Sequence, residues 1–284
     1  MRLFGPLLLV LFFTGCNKEK LKSPEAFFIK TGAVGVNTIT AQGSASHKIT
    51  DLWLYVDGNF KGTYPVGSTL PITSTSGHAR INIYGGIKNN GISYTRLPYD
   101  FYEDLELDTT VTPGTTVKRD LNFTYKSAAK FLFMETFEGG TQGINMVASI
   151  DSDLNSFFLE NSSASFEGAC MKFTVDEVNQ FARFQSTSLF PLPLYGVPAY
   201  LEINYKCEQP FEVGVYTSSG DFKPSTTVNT SAEWNKIYIL LSTASGTSPV
   251  STNQGIYVKA IKDQEEGSPE SATIYIDNIK VITL

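Results

Sequence analysis

Along the chain, apolar and polar residues alternate with a period of two in short runs broken by Gly, Pro, Asn and Asp, which is the pattern of half-buried strands. In "DLWLYVDGNFKGTYP" (51–65), Leu52, Leu54 and Val56 fall on one face and Trp53 and Tyr55 on the other. Asp57-Gly58 then supplies residues that tolerate positive φ, so a hairpin is predicted there. "GHARINIYGG" (77–86) predicts a further strand with Ile81 and Ile83 on one face, and "LELDTTV" and "TTVKRDLNFTY" predict two more across Pro113-Gly114. Ser127-Ala128-Ala129 reads as a connector. Beyond it come seven strand-like runs: "KFLFMETFEGG", "FEGACMKFTV", "AYLEINYKC", "FEVGVYTS", "EWNKIYILLS", "GIYVKAI" and "ATIYIDNIKVITL". The expectation is an all-β chain of two sandwiches, one over 25–126 and a jelly roll over 130–284.

Composition agrees with that reading. A chain of 284 residues favours two domains, and 20 Phe with 14 Tyr suit twisted antiparallel sheets. Lys and Arg number 22 against 28 Asp and Glu, with the acid excess spread thinly, so neither nucleic acid nor an anionic lipid surface is an expected partner.

The first residues carry an address. Leu3 to Phe13 is apolar, follows Arg2, and falls short of the ~20 residues a membrane-spanning helix needs, so 1–15 reads as a signal peptide. Phe13-Thr14-Gly15-Cys16 resembles the lipobox of bacterial lipoproteins, with Phe13 where Leu is usual. The resemblance implies that Cys16 is acylated and anchors the chain to a membrane. Residues 16–24 form a charged tether, and Asn17-Lys18-Glu19-Lys20 resembles the export tag of Bacteroidetes-type surface lipoproteins, though less acidic. An outer-membrane location is expected, with the extracellular face favoured over the periplasmic one.

Val56-Asp57-Gly58, Gly62-Thr63-Tyr64-Pro65 and Gly77-His78 make the first half similar to a PEGA-type, Ig-like module. The insertion "IKNNGISYTRLPYDFYEDL" departs from it. The second half resembles carbohydrate-binding-module, galactose-binding-like jelly rolls. The residues that carry this are Thr136-Phe137-Glu138-Gly139-Gly140, Phe166-Glu167-Gly168-Ala169, Trp234 and Ile274-Tyr275-Ile276-Asp277-Asn278-Ile279. That resemblance implies a structural calcium joining the opening and closing strands, placed by Glu135 or Glu138 together with Asp277. Water-exposed turn and edge carboxylates are the alternative. "DSDLN" (151–155) has alternating oxygens but lacks the Gly and acid of a calcium loop and reads as an ordinary loop.

No constellation for catalysis stands out. The two histidines, His47 and His78, lie near neither a Gly-x-Ser-x-Gly elbow nor a paired-His motif, and no E-x-D-x-x-E strand occurs, so no enzymatic activity is expected. Aromatics are what stack on sugar rings. Tyr94, Arg96 and Tyr99, with Phe101 and Tyr102, form a binding-like patch in the first half; alternatively these rings pack the insertion onto a sandwich. Phe190 and Tyr195 in "SLFPLPLYGVPAY" could line a ligand surface or cover a sheet edge. Cys170 and Cys207 would form a disulfide in an oxidising compartment, but period-two counting sets them on opposite faces, so the bond is left open. Asp108-Thr109-Thr110 matches a short O-glycosylation sequon. The expected function is a surface lipoprotein whose jelly roll binds a glycan or other extracellular ligand. The alternative is an accessory subunit of an outer-membrane transport or secretion complex.

Overall fold

A computed structural model describes residues 26–74, 77–139, 143–193, 196–241 and 252–284. The signal and tether, with Cys16, and Tyr195 lie outside the described residues. The described chain is all-β, with a single 3-10 turn at Thr40–Gln42.

The first sandwich contains β1 (Ala26–Asn37), β2 (Asp51–Val56), β3 (Asn59–Pro65), β4 (Thr69–Thr73), β5 (His78–Lys88), β6 (Arg96–Pro98), β7 (Leu105–Thr110) and β8 (Thr116–Thr124). One sheet runs β4-β1-β8, with β1 parallel to β8. The other runs β3-β2-β5, and β7 and β6 share the far side of β5. The β2–β3 hairpin turns at Asp57 and Gly58 with φ of 50° and 74°, the left-handed pair a two-residue turn needs. Leu52, Leu54 and Val56 are buried with Ile81, Ile83, Ile29, Leu70 and Phe123, while Trp53 and Tyr55 stay on the outer face against Phe60.

The second sandwich follows with β9 (Lys130–Glu135), β10 (Met146–Ala148), β11 (Phe158–Glu160), β12 (Cys170–Asp176), β13 (Phe181–Ser186), β14 (Phe190–Leu192), β15 (Ala199–Cys207), β16 (Phe211–Thr217), β17 (Phe222–Val228), β18 (Ser231–Leu240), β19 (Thr252–Ile261) and β20 (Ser271–Thr283). Two antiparallel sheets close over a second core. The outer sheet runs β10-β13-β19-β16-β17 with β14 beside β19, and the junction sheet runs β11-β12-β20-β15-β18 with β9 beside β20. In β20 a bulge at Asn278, φ 49°, shifts the alternation: Ile274 and Ile276 face the core before it, Ile279 and Val281 after it.

That shift sets the outward side chains of the junction sheet against the first sandwich. Tyr200, Tyr238 and Ile282 belong to the same apolar cluster as Tyr99, Phe101 and Tyr102. The backbone joins too: Asn90 N–H donates to the Tyr238 carbonyl at 2.8 Å, and Leu240 N–H to the Asn90 side chain at 2.8 Å. At the centre of the junction Glu202 is fully buried. It accepts from Tyr99 at 2.8 Å and Tyr125 at 2.9 Å and pairs with Lys236 at 2.6 Å. Lys280, also buried, donates to Tyr125 at 3.5 Å and to the Ser44 carbonyl at 2.6 Å. Burial alone would raise the Glu202 carboxyl, but Lys236 and Lys280 outweigh it and hold the group below its usual range.

Candidate functional site

Strand alternation puts Ala182, Phe184, Val213, Val215, Ile256 and Val258 into the second core. The residues between them therefore face outward from the outer sheet. Register sets these outward residues side by side: Gln185, Tyr257 and Gly214 in one row, Arg183, Lys259 and Glu212 in the next, and Gly255, Tyr216 and Phe222 in a third. The two glycines are required by the rings. A Cβ on Gly214 would lie 2.7 Å from the Tyr257 ring, and one on Gly255 only 2.2 Å from the Tyr216 ring. Each ring thus lies flat across a neighbour that has no side chain.

Hydrogen bonds fix the rings in place. Tyr216 donates to the Ser186 carbonyl at 2.5 Å, and Tyr257 donates at 2.6 Å to Glu212, which also pairs with Lys259 at 2.7 Å. Burial, reinforced by Glu212, drives the Tyr257 hydroxyl well above its usual range, so it stays a donor. Phe222 stacks on Tyr216 with centroids 5.7 Å apart, and the Arg183 guanidinium sits 3.8 Å over the Phe222 ring while pairing with Asp151 at 2.7 Å. Arg183 Nε has no partner among the described residues.

Between this face and the turn carrying Ser149, Ile150 and Asp151 runs a groove of about 570 Å³, bounded by Gln185, Tyr216 and Phe222. Its size falls within the ~300 to 1,000 Å³ of small-ligand sites. Ile150 is fully exposed at its rim. Ring faces, an apolar rim and a few fixed polar groups can accept the C–H face of a sugar while the Gln185 amide and Asp151 carboxylate meet its hydroxyls.

No family model matches the chain, and no curated protein does. Solved structures are similar to about half of it. TmCBM61, solved in complex with β-1,4-galactotriose, is 14% identical over 51% of this chain and 89% of its own, with a TM-score of 0.33. The module BiXyn10A CBM1 in its apo form is 15% identical over 55% and 99%, TM-score 0.37. CBM28, a module specific for non-crystalline cellulose, is 10% identical over 52% and 92%, TM-score 0.35.

The aromatic residues singled out from sequence do not meet in one place. Tyr94 is 88% exposed, and Arg96 pairs with the buried Asp51 at 2.6 Å. Tyr99 is buried in the junction with its hydroxyl committed to Glu202, and Phe190 is buried in the second core with its ring 5.8 Å from that of Phe133. Neither Tyr99 nor Phe190 offers a face to a ligand. The residues that line the groove come instead from β13, β16 and β17 and the turn after β10, and Gly214 and Gly255 inside strand runs are the sequence signal for the rings packed across them.

The carboxylates also sort differently. Glu135 accepts from the backbone N–H groups of Phe137 at 2.7 Å and Asn145 at 2.5 Å, so it clamps the chain after β9 and does not join Glu138 and Asp277. Glu138 accepts from Ala169 N–H at 3.0 Å. Asp277 accepts from Glu167 N–H at 3.1 Å and Asn278 N–H at 2.7 Å, and the Glu167 carboxylate receives the Asn278 amide at 3.1 Å. Burial, with the charges of Glu167 and Glu138 adding to it, pushes the Asp277 carboxyl up to about 7.

Cys170 and Cys207, whose pairing the sequence leaves open, are both free and buried. They lie on β12 and β15, on either side of β20, and register sets Cys207 opposite Ile274 while Met171 lies opposite Ile276. Two inter-strand spacings of about 4.8 Å already exceed the Cα separation a disulfide spans. Burial pushes the thiols up to about 12 and 11. The expected result is that iodoacetamide leaves both unlabelled in the native protein and labels both after denaturation without reductant. Labelling that required prior reduction would contradict it.

Proposed function

We propose that the protein is a non-catalytic binding protein that takes a glycan in the groove between Ile150, Tyr216 and Phe222. The observation that carries this is the groove itself: the stacked rings of Tyr216 and Phe222, with Gln185 and Asp151 at its sides. In affinity electrophoresis against a panel of plant and microbial polysaccharides, at least one is expected to retard the protein. Phe222→Ala is expected to weaken that retardation roughly tenfold or more, since base and sugar stacking on one ring contributes about 1–3 kcal/mol. A full panel without retardation contradicts the reading.

Cys16 would tether this binding surface to the outer membrane through its acyl chains, with the sandwiches on the extracellular side. A Cys16→Ala protein is then expected to leave the detergent-soluble membrane fraction and appear in the aqueous phase on detergent partition. Persistence with membranes would count against the anchor.

Calcium is the third part of the reading. Among the described residues no three acidic, His or Cys side chains are grouped closely enough to stand as a metal cluster. The support is one of charge and donor type: Glu138 and Asp277 are hard oxygen donors, burial lifts Asp277 with the charges of Glu167 and Glu138 adding to it, and a divalent cation would offset both. Glu138 and Asp277 would be the side-chain ligands, with backbone carbonyls and water completing the shell, and the ion would tie the chain after β9 to β20.

A further inference from the structure

On the first sandwich, away from the groove, the outward side of the sheet formed by β3, β2, β5 and β7 carries a bed of touching rings. Alternation turns Trp53 and Tyr55 on β2 and Tyr84 on β5 away from the core, and pairing sets Trp53 beside Tyr84 and Tyr55 beside Phe60 on β3. Ring centroids are 5.6 Å apart for Trp53 and Phe60, 5.3 Å for Tyr55 and Phe60, and 5.3 Å for Tyr55 and Tyr84. Trp53 leans over Gly86, where a Cβ would lie 2.8 Å from its Nε1. Phe60 is 51% exposed and the other rings are half-buried, so the bed is open to solvent. The outer side of such a sheet is ordinarily polar, and adjacent rings there mark a contact surface.

The charge beside the rings narrows the partner. Beyond β5 the outward positions of β7 are Glu106 and Asp108, and Asp104 precedes that strand. Glu106 pairs with Arg80 at 2.9 Å, Asp104 accepts from the Asn82 amide at 2.7 Å, and Asp108 meets the His78 imidazole at 3.2 Å. Glu106, then Asp108 and Asp104, hold the Arg80 guanidinium above its usual range, so one cation answers three carboxylates. Burial and then the Asp104 charge raise the Tyr84 hydroxyl, which puts that acid within electrostatic reach of the rings. Lys61 lies on the opposite margin, next to Phe60.

Rings next to carboxylates suit a guanidinium, which stacks on a ring face and donates in its own plane to an acid. The second sandwich uses that arrangement internally, with Arg183 lying 3.8 Å over Phe222 while pairing with Asp151 at 2.7 Å. On the first sandwich, no Lys or Arg of the described residues lies over the rings. A second copy of the chain, with net charge -6, would bring the same acids to the face, and like charges opposed across an interface disfavour it. We propose that this face is a docking surface for an arginine-bearing segment of a partner protein, its guanidinium groups stacked on Tyr84, Tyr55 and Phe60 and paired with Asp104 and Asp108. The surface shares no residue with the groove and stands whether or not the groove takes a glycan.

The chain has two tryptophans, Trp53 and Trp234, so in a Trp234→Phe protein the emission reports Trp53 alone. That protein is titrated with a synthetic peptide of alternating arginine and glycine, with the glutamate counterpart, and with cellohexaose. The arginine peptide is expected to change the emission saturably with a Kd of about 10–100 µM in low salt and to bind about fivefold more weakly or worse by ~0.3 M salt. The glutamate peptide and cellohexaose are expected to leave the emission unchanged. Phe60 and Asp108 are exposed, and asparagine keeps the acceptor that Asp104 offers Asn82. Phe60→Ala and Asp104→Asn/Asp108→Asn, each made in the Trp234→Phe protein, are therefore expected to keep its melting temperature and to bind the arginine peptide about tenfold more weakly. Phe222→Ala is expected to bind the peptide undiminished. The proposal is overturned if nothing saturates by about 1 mM, if salt has no effect, if cellohexaose or the glutamate peptide changes the emission equally, if both surface variants bind unchanged, or if Phe222→Ala abolishes the binding.

Discussion

Replacing Glu202 with alanine is expected to cost about 3–5 kcal/mol of stability, the largest effect of any single substitution considered for this chain. The carboxylate is fully buried and is the acidic partner of Lys236, with Lys280 close by. Its removal strands two buried ammonium groups and the hydroxyls of Tyr99 and Tyr125. At about 2–4 °C per kcal/mol for a chain of this size, the melting temperature falls by roughly 10 °C. Because the cluster lies between the sandwiches, the loss also uncouples them: the parent is expected to unfold in one transition and the Glu202→Ala protein in two. Tyr99→Phe removes one hydrogen bond to a charged group and costs only about 1.5–3 kcal/mol. Replacing Glu202, Lys236 and Lys280 together by methionine is expected to restore most of the stability, because no buried charge is left unpaired. Thermal unfolding followed by calorimetry checks all three; a Glu202→Ala protein as stable as the parent would refute the junction account.

The second large effect is a pH dependence. Asp277 titrates near 3.8 when unfolded and at about 7 when folded. Between these values the folded state holds a proton that the unfolded state has released, so stability falls as pH rises from about 4 to 7 and is fully present only below the unfolded value. The loss amounts to about 2–4 kcal/mol by pH 7.5. Asp277→Asn, compared with the parent in a chelator, is expected to remove that slope and to be the more stable protein at neutral pH. Saturating calcium is expected to flatten the slope in the parent and to leave Asp277→Asn unchanged. Denaturant midpoints across pH 4–8 measure this, and a parent slope of the opposite sign would overturn the assignment.

Much of the fold was legible because its information is local. The β2–β3 hairpin needs only alternating Leu52, Leu54 and Val56 and a turn at Asp57-Gly58, all within one stretch. The short strands β10, β11 and β14 show no period to read, and β17 carries Pro224, which sequence reasoning treats as loop although an edge strand tolerates it. The groove was not legible for a different reason. Gln185, Tyr216 and Phe222 each occupy an ordinary outward position, and only the strand pairing that sets Tyr216 between Gly255 and Phe222 and brings the turn at Ile150 beside them makes one groove. The junction was hidden likewise: Glu202, Lys236 and Lys280 lie on three strands, and the parity of Lys280 depends on the bulge at Asn278. The rings of Tyr99, Phe101 and Tyr102 stand together in the sequence, and their burial follows from the apolar face that the junction sheet turns toward them.

The central claim is that the outer sheet of the second sandwich holds a glycan. It is tested most directly by titrating the isotopically labelled protein with an oligosaccharide of the retarding polysaccharide and following amide and side-chain resonances. The account predicts saturable shifts confined to Ile150, Asp151, Arg183, Gln185, Tyr216 and Phe222, absent in Phe222→Ala. Shifts that cluster instead on the first sandwich, or that survive in Phe222→Ala, would contradict it.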